Sequence, residues 1–409
     1  MTDSDTPAVR PPWVFRRFAA VGRPPIPHND TMDFALATIW YERQRFLPAI
    51  LAVSFSAILM VIQGGLVVGL LSMMSVPVDK ATSDVWIGSP GVKSVDLGQK
   101  IPERWIARVA NQPEVVRAEP QIIAFSMWTP VDRNAPPSSP AVCLIVGCKL
   151  DKNSIGAVEQ LRENPELMVK LTEPNTIVVD ESELGRLGIK GIGDQGEIAG
   201  RLVRIVGLVQ GYKSLGGPYV FCSLETARVL ARERVGDCTY LLAKCRTPED
   251  AQIVKERLKK YEQMSTFDAQ EFSTRSRMHW LTTTKAGIAV GFTAMLGLLV
   301  GAVVTSQTLY AAMAASQREF STLRAMGIPA WRLRTTVMAK SFWVGFFGLI
   351  IAAPVSLVIA EVATAIGIRV TLHPYVVLGA SVITLTMALL SGLAALRSVE
   401  GVDPAHNIR

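Results

Sequence analysis

The sequence predicts a membrane α-helical protein with four transmembrane helices and an extracytoplasmic α+β domain inserted between helices 1 and 2. Three observations predict this class. Only 19% of the 409 residues are charged, against roughly 25% in an ordinary soluble protein, and the mean hydropathy is positive at +0.29. Four long stretches contain no charged residue at all. Between the first two of them, residues 79–285 hold an ordinary mixture of 28 basic and 26 acidic residues.

The four charge-free stretches are the basis for the membrane assignment. Each is at least 20 residues long, and a helix needs about 20 apolar residues to cross the hydrocarbon core of a bilayer. Four such stretches in one chain disfavour the alternative that they are buried core helices. A cleaved signal peptide is also disfavoured for the first, because its apolar run exceeds the roughly 7–15 residues of such a segment. The predicted spans are residues 47–74, 286–314, 340–365 and 374–396.

Basic residues in the short loops predict the orientation of the chain. Four spans place both termini on one side of the membrane, together with the loop of residues 315–339. This loop carries four arginines against a single acid, Glu319. Because basic residues are enriched in short cytoplasmic loops, we expect the termini and this loop to be cytoplasmic. Residues 79–285 then lie outside the cytoplasmic (inner) membrane, in the periplasm if the cell has an outer membrane.

The regions at the two ends of the chain have different compositions. Residues 1–31 are rich in proline and polar residues and predict a disordered cytoplasmic tail. Within residues 32–78, an apolar helix is predicted from about Met32, before the first span. This helix either lies along the inner membrane surface or extends the first span inward. Residues 398–409 form a short cytoplasmic tail.

The 79–285 segment shows alternating strand and helix patterns. We interpret it as a ferredoxin-like α+β domain, interrupted at about residues 170–230 by a small β-rich insertion. Residues 115–129 are predicted to form one or two strands, and residues 248–261 an amphipathic helix whose basic run faces water. The glycine-rich stretch Gly188–Gly196 lacks the spacing of a dinucleotide-binding loop, so it predicts a turn.

Motifs of catalysis, nucleotide binding and metal binding are missing from the sequence. It contains no phosphate-binding loop of the GxxxxGK[ST] type, no HExxH and no GxSxG. Its four histidines fall in separate topological segments, which disfavours a metal site. The net charge of +7 does not indicate nucleic-acid binding, because no region has the surplus of a phosphate-binding patch. We therefore predict no catalytic residues, no metal site and no cofactor in this chain.

All five cysteines lie in the predicted extracytoplasmic segment. Cys143 and Cys148 are five residues apart on one predicted strand, so they point to opposite faces and do not readily bridge each other. Buried free thiols are the favoured interpretation. A Cys238–Cys245 or other pairing stays open, since an oxidising compartment permits disulfides.

Small residues recur at four-residue spacing in the predicted spans. This spacing lets helix backbones approach closely, either within the four-helix unit or across a dimer. The predicted packing residues are Gly65, Gly69, Gly287, Gly291, Gly297 and Gly301.

Several stretches of the chain resemble one family. Residues 316–327, SQREFSTLRAMG, follow the second span and resemble the signature of FtsX-like permeases, the MacB-type ABC transporter subunits. The tail VDPAHNIR (402–409) resembles their terminal Asp-Pro-Ala pattern, and residues 176–194 are similar to an element of their extracytoplasmic domain. The order of one span, a large domain and three spans also matches. Residues 42–66 and 84–92 are most similar to the DevC-type exporter permeases.

The resemblance implies a function and a set of partners. It implies the permease subunit of an ABC exporter, acting as a homodimer with two separate ATPase subunits that bind ATP and magnesium. It also implies a periplasmic adaptor (membrane fusion) protein, an outer-membrane duct, and export of a lipid-like or amphipathic substrate from membrane lipid.

By the same resemblance, residues 316–327 are the coupling helix that docks the ATPase subunit. Their pattern is compatible with this role, because an apolar stripe with charged flanks can bind a soluble partner. The alternative is a helix that packs only on its own bundle. The implied coupling residues are Arg318, Glu319, Phe320, Leu323, Arg324, Met326 and Gly327.

Three other functions remain alternatives at this point. The first is an FtsX-type signal transducer that activates a cell-wall hydrolase and transports nothing. The second is a lipoprotein-release permease. The third, a membrane enzyme, is disfavoured because no catalytic constellation is present.

Overall fold

Within the part of the chain that the structure describes, four helices are long and apolar enough to cross a membrane, which confirms the predicted fold class. Their spanning parts are Arg43–Ser72, Lys285–Ala312, Arg334–Ala365 and Pro374–Ala394. The structure is a computed structural model that describes residues 30–131, 140–314, 329–366, 368 and 370–400. The tail predicted for residues 1–31 lies almost wholly outside these residues.

The described helices divide into those of the membrane region and short ones between the first two spans. In chain order they are α1 (Asp30–Tyr41), α2 (Arg43–Ser72), α3 (Val76–Asp79), α4 (Ile106–Ala110), α5 (Glu159–Glu163), α6 (Pro165–Leu171), α7 (Leu184–Leu187), α8 (Leu224–Leu230), α9 (Asp250–Leu258), α10 (Ala269–Thr283), α11 (Lys285–Ala314), α12 (Ala330–Ala365) and α13 (Pro374–Glu400). Helices α2, α11, α12 and α13 contain the four spans. Residues 73–284 are called the inserted domain below.

All described strands belong to the inserted domain. They are β1 (Val85–Gly88), β2 (Ile101–Pro102), β3 (Val115–Pro130), β4 (Ala141–Cys148), β5 (Thr176–Asp180), β6 (Gln195–Ile198), β7 (Arg201–Val209), β8 (Tyr219–Ser223), β9 (Asp237–Cys238), β10 (Tyr240–Cys245) and β11 (Ser265–Asp268). Nine form one sheet in the order β11-β1-β10-β3-β4-β8-β5-β7-β6, while β2 and β9 pair separately.

One half of the sheet has ferredoxin-like topology, as predicted. The strands β1, β3, β10 and β11 lie in the order β11-β1-β10-β3 and are antiparallel to their neighbours. With α4 before β3 and α9 between β10 and β11, this is the split βαβ arrangement. The segment predicted as one or two strands is the single long strand β3.

The other half of the sheet closes on itself. β3 pairs with β4 along one edge and with β6 along the other, and the pairs β4–β8, β8–β5, β5–β7 and β7–β6 complete a ring of six strands. The strands of residues 170–230, which are predicted as a small β-rich insertion that interrupts the ferredoxin-like part, belong to the same sheet as that part. The length of β3 allows this, because its first half pairs with β10 and its second half with β4 and β6.

Helix α9 has the predicted buried apolar face, but one of its basic residues is also buried. Ala251, Val254 and Leu258 are buried, as their spacing predicts. Lys255, by contrast, does not face water as the basic run was expected to. Its ammonium bonds Asp268 at 2.8 Å and Glu271 at 3.1 Å. Burial acts to raise the pKa of Asp268, but hydrogen bonding from Lys255 and from the Glu271 amide lowers it overall. Asp268 and Lys255 are therefore both ionised at neutral pH.

The five cysteines are free and buried. Cys143 and Cys148 lie in hydrophobic clusters on the two opposite faces of β4, as their odd spacing predicts. Burial raises the pKa of the Cys245 thiol to about 11 and that of the Cys143, Cys148 and Cys238 thiols to about 12. These thiols are therefore held in the unreactive protonated form.

We expect the folded chain to resist alkylation. At pH 8 a thiol with a pKa near 11 is ionised in only about one molecule in a thousand, and the thiolate is the reactive form. Intact-mass measurement after iodoacetamide treatment should find no adduct on the native protein and five on the denatured protein. Rapid labelling of the native chain, or fewer than five adducts after denaturation without reductant, would contradict the assignment.

In the membrane region α2 is the central helix, packing against α11, α12 and α13. Helix α1 is separated from it by a break at Glu42, whose backbone leaves the helical region. Ala35 and Ile39 of α1 are buried, and α1 packs against α12. It is therefore a separate helix on the bundle and does not simply extend the first span.

Candidate functional site: the junction of the spans and the inserted domain

Two chain segments connect the inserted domain to the membrane spans, and they meet at one place. Helix α2 leads through Met73 and Ser75 into α3. Helix α10 leads into α11 past Thr284, whose extended backbone separates the two helices. Helices α3 and α10 contact each other. The first two spans therefore enter the domain side by side.

The Asp79 carboxylate holds the two connections together. It accepts hydrogen bonds from Ser75 Oγ at 2.6 Å, from Ser273 Oγ at 2.6 Å and from the Arg277 guanidinium at 2.6 Å. Arg277 also donates through Nε to Ser75 Oγ at 2.7 Å. Asp79 and Ser75 belong to the segment after the first span, whereas Ser273 and Arg277 belong to α10. We call these four residues the junction cluster.

A second set of hydrogen bonds ties α10 to the loop that follows β1. Trp280 donates through Nε1 to Asp96 Oδ1 at 3.2 Å, and Ser94 Oγ donates to the same carboxylate oxygen. The backbone N–H of Val95 donates to Ser276 Oγ at 3.0 Å. Because Ser94 and Ser276 are fully buried, these bonds form in a region that excludes water, where an unpaired polar group is costly.

Buried aromatic side chains give the junction a rigid base. Tyr219 donates through its hydroxyl to the Met73 carbonyl at 3.1 Å, which fixes the chain as it leaves the first span. Burial raises the pKa of Tyr219 and of Tyr240 above the usual range, so both hydroxyls stay protonated donors. Four rings pack with neighbouring centroids 5.0–5.7 Å apart: Trp86, Tyr240, Phe267 and Phe272.

Several predicted small residues do lie at helix contacts. A Cβ on Gly297 would stand 3.0 Å from Gln63 Cγ, and one on Gly301 would stand 2.6 Å from Met60 Cε, so both glycines face α2. Gly65 lies against Val370 and Leu372, before α13. Gly69 is buried.

Gly287 and Gly291 face the end of α10 instead of another span. A Cβ on Gly287 would stand 2.0 Å from the Trp280 carbonyl oxygen, and one on Gly291 would stand 3.5 Å from Leu281 Cδ1. They therefore belong to the junction, where they allow α10 and α11 to approach across Thr284.

No pattern in the sequence predicts the junction cluster or two further close helix contacts. Gly348 of α12 lies against Val53 of α2, with a Cβ distance of 2.8 Å, and Gly392 lies against Ser341. Neither has a glycine four residues away, only an alanine (Ala352 and Ala388), so neither is among the predicted glycine pairs. Asp79 was visible only as the first charge after the first span. The proposed coupling residues, Arg318 to Gly327, lie outside the described residues.

Comparison with known proteins finds two family models that match consecutive parts of the chain. Residues 291–403 match the model of the FtsX-like permease C-terminal domain. Residues 46–261, more than half of the chain, match that of the MacB-like periplasmic core domain.

Individual relatives are more distant. An uncharacterized ABC transporter permease of Methanocaldococcus jannaschii is 22% identical over 234 residues, which cover 53% of this chain and 57% of that protein. The periplasmic region of MacB from Actinobacillus actinomycetemcomitans is similar over 48% of this chain and 94% of its own, at 11% identity and a TM-score of 0.32. The extracellular domain of the transporter YknZ from Gram-positive bacteria covers 45% of this chain and 99% of its own, at 7% identity and a TM-score of 0.29.

The spans, the inserted domain and the family matches define a multi-pass membrane protein of the transporter permease class. The chain belongs to the FtsX-like, MacB-type family of ABC transporter permeases.

Proposed function

We propose that this chain is the permease subunit of an ABC exporter, which couples ATP hydrolysis by a separate ATPase subunit to export of a lipid-like or amphipathic substrate. In this proposal two copies of the chain act with two ATPase subunits. The inserted domain passes the motion of the spans to the substrate and to a periplasmic adaptor protein, which is joined to an outer-membrane duct. The similarity of residues 42–66 and 84–92 to DevC-type permeases favours these partners.

The junction cluster is the observation that carries this proposal. Asp79 follows the first span and Arg277 precedes the second, and one ion pair joins them. A change in the angle between α2 and α11 would therefore strain the junction cluster, because hydrogen bonds hold it to the segments that follow α2 and precede α11. Because the domain above it is closely packed, and packed interiors transmit strain, the motion would reach the domain as a whole.

The proposed orientation places both termini in the cytoplasm and the inserted domain outside the inner membrane. The basic residues that support it are Arg43 and Arg45 at the start of the first span, and Arg332 and Arg334 at the start of the third. On this side of the membrane, residues 316–327 would meet the ATPase subunit. Residues 79–285 would meet the adaptor.

Glu319→Arg tests the coupling assignment. We expect this change to reduce co-purification of the ATPase subunit about tenfold or more, since reversing one partner of an interfacial charge pair costs several kcal/mol. Export should be lost with it. The measurement is a pulldown in mild detergent with quantitative mass spectrometry, which also identifies any adaptor or cell-wall hydrolase bound to the chain.

Gln317→Arg is the matched control, because it adds a positive charge to the same segment without removing the carboxylate. Normal ATPase association and export by the Glu319→Arg chain would refute the assignment. Capture of a cell-wall hydrolase with no adaptor would favour signal transduction over export.

A further inference from the structure

A cavity of about 460 Å³ lies between the inserted domain and the end of the third span. Its walls come from two separate parts of the fold. The turns after β5 and β7 contribute one side, and the last turn of α12 with the residues after it contributes the other. The lining residues are Asp180, Glu181, Ser182, Gln210, Gly211, Lys213, Thr364 and Ile368.

The position of the cavity relative to the bilayer follows from α12. The spanning part of this helix ends at Ala365, so Thr364 and Ile368 lie where the hydrocarbon core gives way to lipid headgroups. Ile366 and Ile368 are 73% and 47% exposed. The cavity therefore has the exposed apolar side chain of Ile368 on the side of the spans and a polar wall formed by the domain.

The polar wall is held in place by its own hydrogen bonds. The buried Asp180 carboxylate accepts from the Tyr212 N–H at 2.5 Å and from the Ser182 N–H at 2.9 Å, which links the two turns. Gln210 Nε2 donates to Glu181 Oε2 at 2.6 Å. A preformed wall loses little entropy when it binds a ligand.

The charges of the wall indicate the chemistry of the ligand. The exposed Glu181 and the half-buried Lys213 both line the cavity, so it has one acidic and one basic side chain beside the buried Asp180. A carboxylate binds a primary amine and an ammonium group binds a phosphate through charge-assisted hydrogen bonds. A headgroup with both groups matches this pair, whereas an anionic headgroup without an amine meets the repulsion of Glu181 and Asp180.

We propose that this cavity binds the headgroup of an amine-bearing phospholipid, such as phosphatidylethanolamine, from the membrane leaflet next to the inserted domain. The amine contacts Glu181, the phosphate contacts Lys213, and the acyl chains lie along the end of α12. The proposal is independent of the exporter function, because it concerns binding by the chain alone.

Native mass spectrometry of the full chain in detergent tests this proposal with three probes. These are phosphatidylethanolamine, phosphatidylglycerol and soluble phosphoethanolamine. We expect retention of the first in preference to the second, and none of the third at equal concentration. Equal retention of both lipids would overturn the proposed chemistry, and tight binding of phosphoethanolamine would overturn the lipid as its source.

Variants on both sides of the cavity locate the binding. Glu181→Lys and Lys213→Glu should each weaken phosphatidylethanolamine retention about tenfold, the size of one charge-assisted hydrogen bond. Thr364→Trp should block the cavity from the helix side. The substitution should be tolerated, because tryptophan is enriched at the membrane–water interface. Glu166→Lys and Lys170→Glu, on exposed positions of α6, are matched controls and should leave retention unchanged.

A photoactivatable phosphatidylethanolamine gives an independent readout. Its adducts should fall on peptides that contain residues 180–182 and 210–213, and Thr364→Trp should remove them. Adducts that persist in this variant, or that fall elsewhere, would refute the assignment even if a charge variant failed to fold.

Discussion

Asp79→Ala is expected to release the first two spans from each other at the junction and to abolish export while the partner continues to hydrolyse ATP. The substitution removes the acceptor of three hydrogen bonds, from Ser75, Ser273 and Arg277. Losing a shared acceptor of this kind costs about 2–3 kcal/mol in local stability. Amide hydrogen exchange in α3 and α10 should therefore become about 30- to 150-fold faster, while the rest of the domain keeps its protection.

Graded variants separate the junction from a general loss of folding. Arg277→Ala leaves the two hydroxyl donors on Asp79, and the ion pair is partly exposed, so its effect should be about 1 kcal/mol, or roughly fivefold in exchange. Exchanging the two residues, with Asp79→Arg and Arg277→Asp, should restore part of the protection. Met278→Ala, on the exposed side of α10, is the control. Unchanged exchange in the Asp79→Ala chain would refute the role of the cluster.

Gly196→Val is expected to destabilise the inserted domain more than any surface change. A Cβ at this position would stand 2.1 Å from the Trp128 ring. Trp128 is fully buried, and its indole N–H donates to the Leu187 carbonyl at 2.9 Å, so the ring has no room to move. Overpacking of this kind costs about 3 kcal/mol, and the melting temperature should fall by about 6–12 °C.

Thermal unfolding of the detergent-purified chain, followed by tryptophan fluorescence, measures this effect. Gly185→Ala is the control, since a Cβ there meets no atom within 4 Å. Adding Trp128→Leu to Gly196→Val should recover part of the loss by making space. A Gly196→Val chain that melts at the temperature of the unchanged chain would show that β6 does not close the ring against β3 as described.

Strands β6 and β11 are not predictable from local sequence, for one physical reason. The glycine-rich stretch Gly188–Gly196 predicts a turn, yet Gly196 pairs with Val203 and Pro130 in the sheet. Glycine is unfavourable in an isolated strand. It is needed at position 196 because the Trp128 ring occupies the space that a side chain would fill. Similarly, β11 has few apolar residues and is stabilised by pairing with β1. Neither partner is visible in a local window of sequence.

The burial of Lys255 likewise depends on partners that lie outside its own segment of sequence. Its neighbours in sequence indicate an exposed helix face, and most basic residues in such a run are exposed. Burial is tolerated at this one position because Asp268 and Glu271, from the next strand and helix, supply its partners. The helix itself was predictable from Ala251, Val254 and Leu258, since burial of one face follows from their spacing.

The sequence by itself determined the four spans, the place of the inserted domain and the ferredoxin-like half of its sheet. It could do so because lipid excludes charge along the whole length of a span, and because apolar periodicity is a local property. Only the tertiary structure decided the closed ring, the cavity at the end of α12 and the junction cluster. Asp79 and Arg277 are 198 residues apart, and their pairing depends on how α3 and α10 pack rather than on any pattern near either residue.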